Sequence, residues 1–215
     1  MTPREAAEPG RNCPRCPRLV AFRRSWRERE PAWHNAPVSS FGRPDARLLI
    51  VGLAPGLQGA NRTGRPFTGD YAGVLLYDTL NRYGFARGQY QAHPDDGLTL
   101  VDACITNAVR CVPPENKPTP AEIATCRDYL VATLRAMARL RAIVALGRIA
   151  HASVVAALGA RQSAAPFAHG AVHDLGGLAL FDSYHCSRYN TNTGVLTPEM
   201  FRAVFAAVRA RLDQS

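Results

Sequence analysis

The chain has 215 residues, which at roughly 150 residues per domain is a single domain with a short appendage. Apolar residues make up 47% of it and charged ones 20%, so a packed core is within reach, and a disordered tail, a collagen-like chain or a coiled coil is excluded. The net charge of +9 favours a polyanion as partner, because cations that neutralise phosphates release condensed counterions.

Of the 26 basic residues only Lys117 is a lysine. A GC-rich genome would spell basic positions as arginine, but it would not set the sign of the net charge; nucleic acid is the first partner to consider. The sequence holds no apolar run of roughly 18 residues, the length a membrane span needs. The opening MTPREAAEPGRNCPRCPR lacks the apolar stretch of a secretory leader. A soluble, cytoplasmic protein is expected.

Residues 1–12 are polar and read as a flexible N-terminus, followed by one domain over 13–215. From the C-x-x-C of Cys13 and Cys16 to about Arg29, Leu19, Val20, Phe22 and Trp26 recur at near-helical spacing. The continuous apolar run over 46–52 reads as a buried strand of a parallel sheet. Residues 53–70, LAPGLQGANRTGRPFTGD, are too polar and glycine-rich for regular structure and read as a long loop. A helix over 71–84 stops at Gly84. A second strand, 98–107, feeds the loop AVRCVPPENKP. Thr119, Pro120 and Glu122 form a capping box opening a helix that runs to about Arg139. A third strand (141–147), a helix (148–158), a fourth strand (178–183) and a helix opened by Thr197-Pro198-Glu199 (197–212) complete the chain. Alternating strands and helices predict a three-layer α/β/α fold around a four-stranded parallel sheet. Ligands of such sheets sit beyond the carboxyl ends of the strands, which brings loops 53–70, 107–118 and 184–196 to one edge.

Six cysteines without an export signal argue against a disulfide framework. Cys104 lies inside an apolar run and reads as a core residue. Cys13, Cys16, Cys111 and Cys126 are four thiols that a fold could bring together around zinc or an iron–sulfur cluster, and spacing alone does not choose between them. In the first loop Phe67 stands alone among polar residues; it either offers a face on which a base can stack or anchors the loop into the core. A phosphate-cradling loop is not indicated, since G-x-x-x-x-G-K-[ST] is absent. Asn107 ends the second strand, where its amide carries a donor and an acceptor that match the O4 and N3–H edge of a pyrimidine or simply cap a turn. His185, in SYHCSRYNTNTG, is placed to donate to a negative charge developing on a leaving base. His34, His93, His151, His169 and His173 read as structural.

Taken in order, CPRC, GLAPG, NRTGRPFTGD, ITNAVRCVPPENKPTP, the position of Cys126, ALG and HCSRYNTNTGVLTP resemble the family-5 uracil-DNA glycosylases, relatives of the iron–sulfur family-4 enzymes. The resemblance runs from about residue 13 to 205. It implies a [4Fe-4S] cluster on Cys13, Cys16, Cys111 and Cys126, resolving zinc against iron. It also implies hydrolysis of the N-glycosidic bond of uracil in DNA, with Phe67, Asn107, Gly52 and Ala54 binding the base and His185 contacting O2. Where the family-4 pattern has a glutamate this chain has Leu53, followed by Ala54. With both inert, catalysis falls to His185 and backbone N–H groups, and Asp70 and Asn61 are the candidates for placing water. Arg62, Arg65, Ser187, Arg188 and Tyr189 would contact DNA, with Arg188 or Tyr189 filling the gap left by an extruded base.

The apolar first motif suggests a tolerant pocket, and the resemblance implies that hypoxanthine and ethenocytosine are accepted as well. The rival reading is a non-catalytic iron–sulfur module that binds damaged DNA. A superfamily member trapped on its abasic product would need a basic, histidine-bearing loop that is not found after Gly73. A monomer, in a prokaryote associated with the nucleoid, is expected.

Overall fold

The computed structural model describes residues 8–214. Helix α1 (Pro17–Arg29) begins at the C-x-x-C, with Cys16 as its N-cap. Strand β1 (Phe41–Gly42) precedes β2 (Leu48–Gly52), which is buried over its whole length. Short helix α2 (Ala60–Thr63) and helix α3 (Tyr71–Arg82) follow, then the hairpin of β3 (Ala86–Arg87) and β4 (Thr99–Leu100). Strand β5 (Ala103–Asn107), helix α4 (Pro120–Ala136), β6 (Ala142–Leu146) and α5 (Arg148–Ala157) come next. The chain closes with β7 (Val172–Asp174), β8 (Ala179–Ser183), short helix α6 (Arg188–Asn192) and α7 (Pro198–Asp213).

The main sheet has the order β1-β5-β2-β6-β8-β7. Its four central strands are parallel and are the four that the apolar runs predict. Among the described residues six strands rather than four make up the sheet, because β1 and β7 add antiparallel edges. Both edges are short and only partly buried, so neither carries an apolar run that a sequence pattern would reveal.

Alternate residues of β2 serve two cores, as a strand covered on both faces must. Leu48 and Ile50 pack with Leu76 and Leu80 of α3 and Phe201, Phe205 and Val208 of α7. Leu49 and Val51 pack with Leu130 of α4 and Val154 of α5. Each fully buried side chain of this kind stabilises the fold by about 1.5–3 kcal/mol.

The strand expected over 98–107 is broken at Asp102. This residue has φ +51°, and its carboxylate accepts hydrogen bonds from the Arg47 N–H (2.8 Å) and Nε (2.7 Å). The ion pair holds the kink that turns β4 out of the main sheet. Helix α4 opens with the expected capping box, Glu122 Oε2 accepting from the Thr119 N–H at 2.8 Å and Thr119 Oγ1 from the Glu122 N–H at 3.2 Å. It ends at Ala136 rather than near Arg139. The expected loops 53–70 and 184–196 contain α2 and α6, the latter capped by Ser187.

Of the residues read as a flexible N-terminus, 8–12 are tied down. Glu8 accepts hydrogen bonds from the Ser40 N–H (3.1 Å) and Arg110 Nη1 (2.8 Å), and Arg27 donates to Asn12 Oδ1 and the Arg11 carbonyl. Residues 1–7 lie outside the described residues. Among the described residues no helix is long and apolar enough to cross a membrane.

Candidate active site

A cleft of about 500 Å³ opens beyond the carboxyl ends of the parallel strands. The turn after β2 contributes Leu53, Ala54 and Leu57, the following loop Phe67 and Asp70, the end of β5 Asn107, and the loop after β8 His185. Three chain segments far apart in sequence meet here because β5, β2, β6 and β8 run parallel and release their loops at the same edge.

The end of β2 shows why the meeting is close. Gly52 pairs with Asn107 in the ladder. A Cβ at residue 52 would collide with Asn107 Oδ1 and lie 2.6 Å from Phe67 Cζ. Glycine there lets an amide and an aromatic ring converge over one backbone position. Phe67 is 7% exposed and belongs to a core cluster, as the anchoring reading expects, yet it also lines the cleft. Its φ is +52°, an uncommon conformation for a side chain with a Cβ. Asn107 is buried, and among the described residues nothing hydrogen-bonds its amide.

His185 is stacked near Phe67, the ring centroids 5.9 Å apart and the planes inclined by 28°. Burial lowers its pKa to about 4, so at neutral pH it is an uncharged imidazole. Asn190 Nδ2 donates to the His185 carbonyl at 2.8 Å and fixes the backbone that carries the ring; nothing in the sequence distinguished Asn190 from its polar neighbours. Asp70 caps α3 by accepting from the Gly73 N–H at 3.3 Å. Burial pushes its pKa up, against the opposing pull of the Gly73 and Ala72 N–H groups. Ser187 lines the cleft while its Oγ accepts from the Asn190 N–H at 3.3 Å.

Two residues expected to face the cleft or DNA do neither. Asn61 is fully buried, its Nδ2 donates to Asn35 Oδ1 at 2.8 Å, and it lies outside the cleft lining. Arg65 is buried in a bidentate ion pair with Asp96, both contacts 2.7 Å, and its Nε donates to Thr68 Oγ1. Its guanidinium is thereby withdrawn from any phosphate. Arg62, Arg188 and Tyr189 are exposed, Arg188 lining the cleft with its guanidinium over the Tyr71 ring at 5.3 Å. Asn116, which the sequence reading passed over, also lines the cleft, beside the exposed Lys117.

Cys13, Cys16, Cys111 and Cys126 line one small cavity under α1. Burial pushes the Cys111 thiol up to about 12 and raises Cys16 and Cys126 as well. Arg23 is 2% exposed. It donates to Cys111 Sγ at 3.4 Å and to the Cys13 carbonyl at 3.0 Å, while among the described residues its Nε has no partner. A buried guanidinium facing sulfur rather than a carboxylate needs negative charge nearby, which thiolates around a metal centre would supply. A second group, His151, His173 and Asp182, is also compact. There the His151 Nδ1–Asp182 Oδ1 distance is 2.6 Å, that of a hydrogen bond; two ligands on one tetrahedral zinc lie about 3.3 Å apart.

These observations define a class: a three-layer α/β/α protein that brings an aromatic plane, an amide and an imidazole into one cleft under an arginine-bearing rim. Comparison with known proteins narrows it. The model of the uracil DNA glycosylase superfamily matches residues 39–209. A Type-5 uracil-DNA glycosylase of Thermus thermophilus is 49% identical over 200 residues, covering 89% of this chain and 90% of its own. One of Pyrobaculum aerophilum is 41% identical over 203 residues, covering 93% and 88%. A Type-4 uracil-DNA glycosylase of Archaeoglobus fulgidus is 40% identical over 114 residues, 53% of this chain and 49% of its own. The chain belongs to the uracil-DNA glycosylase superfamily and, within it, to the type-5 enzymes. It is a DNA repair enzyme, a uracil-DNA glycosylase, rather than a module that only binds DNA.

Proposed function

We propose that this glycosylase works mainly by stabilising the departing base, with His185 as the donor and Phe67 as the plane on which the base rests. The observation that carries the reading is the meeting of Phe67, Asn107, Asp70 and His185 in one cleft whose remaining wall, Leu53, Ala54 and Leu57, is apolar. When the C1′–N1 bond breaks, its electron pair stays on the base and the sugar becomes oxocarbenium-like. An uncharged imidazole N–H directed at O2 stabilises that anion in a site poor in water, where such a donor is worth more than in solution. Asn107 would pair with the O4 and N3–H edge. Asp70, made more basic by burial, would orient the attacking water and take its proton. Gly52 and Ala54 would lie against the base.

Exposed Arg62, Arg188 and Tyr189, with Ser187, would hold the strand, and Tyr189, 74% exposed, would fill the vacated place in the stack. The cleft, about 500 Å³, is of the size that takes drug-like ligands, which leaves room for hypoxanthine and ethenocytosine beside uracil. Cys13, Cys16, Cys111 and Cys126 would hold a [4Fe-4S] cluster. When bound, the cluster supplies structural pinning, since hydrolysis transfers no electrons. The enzyme would act as a monomer in the cytoplasm, on nucleoid DNA.

The test is single-turnover cleavage of duplexes carrying uracil, hypoxanthine or ethenocytosine. Abasic product from all three supports the tolerant cleft, and product from uracil alone refutes it. Metal analysis of anaerobically purified protein checks the cysteine site, where about four iron atoms per chain are expected and zinc would exclude the cluster.

A further inference from the structure

We infer that Tyr90, which lies outside the cleft, is a positioning residue for the glycosylase reaction: its hydroxyl locks the Phe67 backbone in the conformation that presents the ring to the base. The inference rests on Phe67 being the base platform. Phe67 has φ +52°, and a strained backbone of that kind persists only where its surroundings over-determine it. Tyr90 Oη donates to the Phe67 carbonyl at 3.1 Å and accepts from the Gly69 N–H at 3.2 Å. One hydroxyl thus grips the chain on both sides of the turn that follows Phe67.

The surroundings are built to hold that hydroxyl. Tyr90 stacks on Tyr77 with ring centroids 4.7 Å apart, and Tyr77 Oη donates to the Pro66 carbonyl at 2.6 Å. The Arg65 guanidinium lies 5.5 Å from the Tyr77 ring centroid and 5.9 Å from that of Tyr90. Asp96, its partner in the buried ion pair, also accepts from the Gln91 and Leu98 N–H groups. The segment between β3 and β4 is therefore strapped to the back of the Phe67 loop. On the other side, Gly73 leaves the necessary space: a Cβ there would collide with the Phe67 carbonyl oxygen and with Tyr90 Oη. Neither Tyr90 nor Arg65 reaches the cleft, so both act through Phe67.

Tyr90→Phe removes the hydroxyl and keeps the ring in its stack. Single-turnover excision of uracil should fall about tenfold and free uracil should inhibit about tenfold more weakly, while affinity for undamaged duplex stays unchanged. In a Phe67→Leu background the same change should cost little more, because the platform it positions is gone. Wild-type excision by Tyr90→Phe, with Phe67→Leu impaired, would overturn the positioning role and leave the platform standing. Additive losses in the double variant would also overturn it, since a general loss of stability would act regardless of residue 67. No effect of Phe67→Leu would overturn the platform and the inference together.

Discussion

The sharpest expectation concerns the charge of His185. Its side chain sits against Phe67 with no described hydrogen-bond partner on its ring, and burial brings its pKa to about 4. If the donor in the transition state is this neutral imidazole, His185→Ala removes one preorganised N–H. Such a loss costs about 2.7–4 kcal/mol, a hundred- to thousandfold in rate. The wild-type single-turnover rate should then show no His185 limb between about pH 6 and 9, because the group is already deprotonated throughout. Stability carries the complementary signature. The unfolded chain binds a proton on this histidine near pH 6.5 and the folded chain only near 4, so stability is complete above about 6.5 and declines as the pH falls toward 4. The loss reaches about 3 kcal/mol at most, and His185→Ala should abolish that slope. Quenched-flow excision of uracil from duplex DNA, alongside urea unfolding across the same pH range, measures both. A loss below tenfold in the variant would refute the reasoning. So would a wild-type rate that climbs on acidification with a midpoint near 6.5, since the donor would then be an imidazolium.

Gly52→Ala should reduce excision by at least about a hundredfold with little change in duplex binding, because the added Cβ collides with Asn107 and crowds Phe67; single-turnover rates and gel-shift affinities separate the two effects. Arg62→Ala should lower the log–log salt slope of DNA binding by about one and leave unfolding untouched. Arg65→Ala should do the reverse, costing about 3–5 kcal/mol by stranding Asp96 in a buried pair, as denaturant titration would register. Cys111→Ser should reduce bound iron and expose the segment around α1 to proteolysis while the sheet persists, as limited digestion followed by mass analysis would show.

Much of the fold was legible because the signals were local. Four apolar runs gave the four central strands, and the capping box at Thr119 opened α4 at its observed start. The edges were not legible: β1 and β7 are two- and three-residue strands held by ladder bonds to β5 and β8, a relation between distant segments. The kink at Asp102 was hidden for the same reason, since its cause is Arg47, across a sheet neighbour. At the site, Phe67, Asn107 and His185 were found by their motif positions. Arg65 was misjudged because an arginine beside glycines reads as a phosphate contact until Asp96, thirty-one residues on, is seen to occupy it. Tyr90 gave no signal, as its role lies in two backbone groups that no side-chain pattern reports.

Asn61 shows how a motif residue serves the site without entering it. It was a candidate for placing water, but its backbone carbonyl accepts from the Asn35 N–H at 3.0 Å and its side chain donates to Asn35 Oδ1. Asn35 Nδ2 in turn donates to the carbonyls of Trp26 (3.1 Å) and Glu30 (2.7 Å) at the end of α1, which also accept from the N–H groups of Glu30 and Trp33. The helix that carries the C-x-x-C at its start is thus tied at its finish to α2, the element preceding Phe67. Asn61→Ala would leave Asn35 Oδ1 without its donor in a buried position, costing about 1–3 kcal/mol of stability. A residue that placed water would instead change the rate at constant stability. The expected result is therefore a lowered unfolding free energy, with excision per folded molecule within a few-fold of wild type. A hundredfold loss of excision in a variant as stable as wild type would return Asn61 to the chemistry.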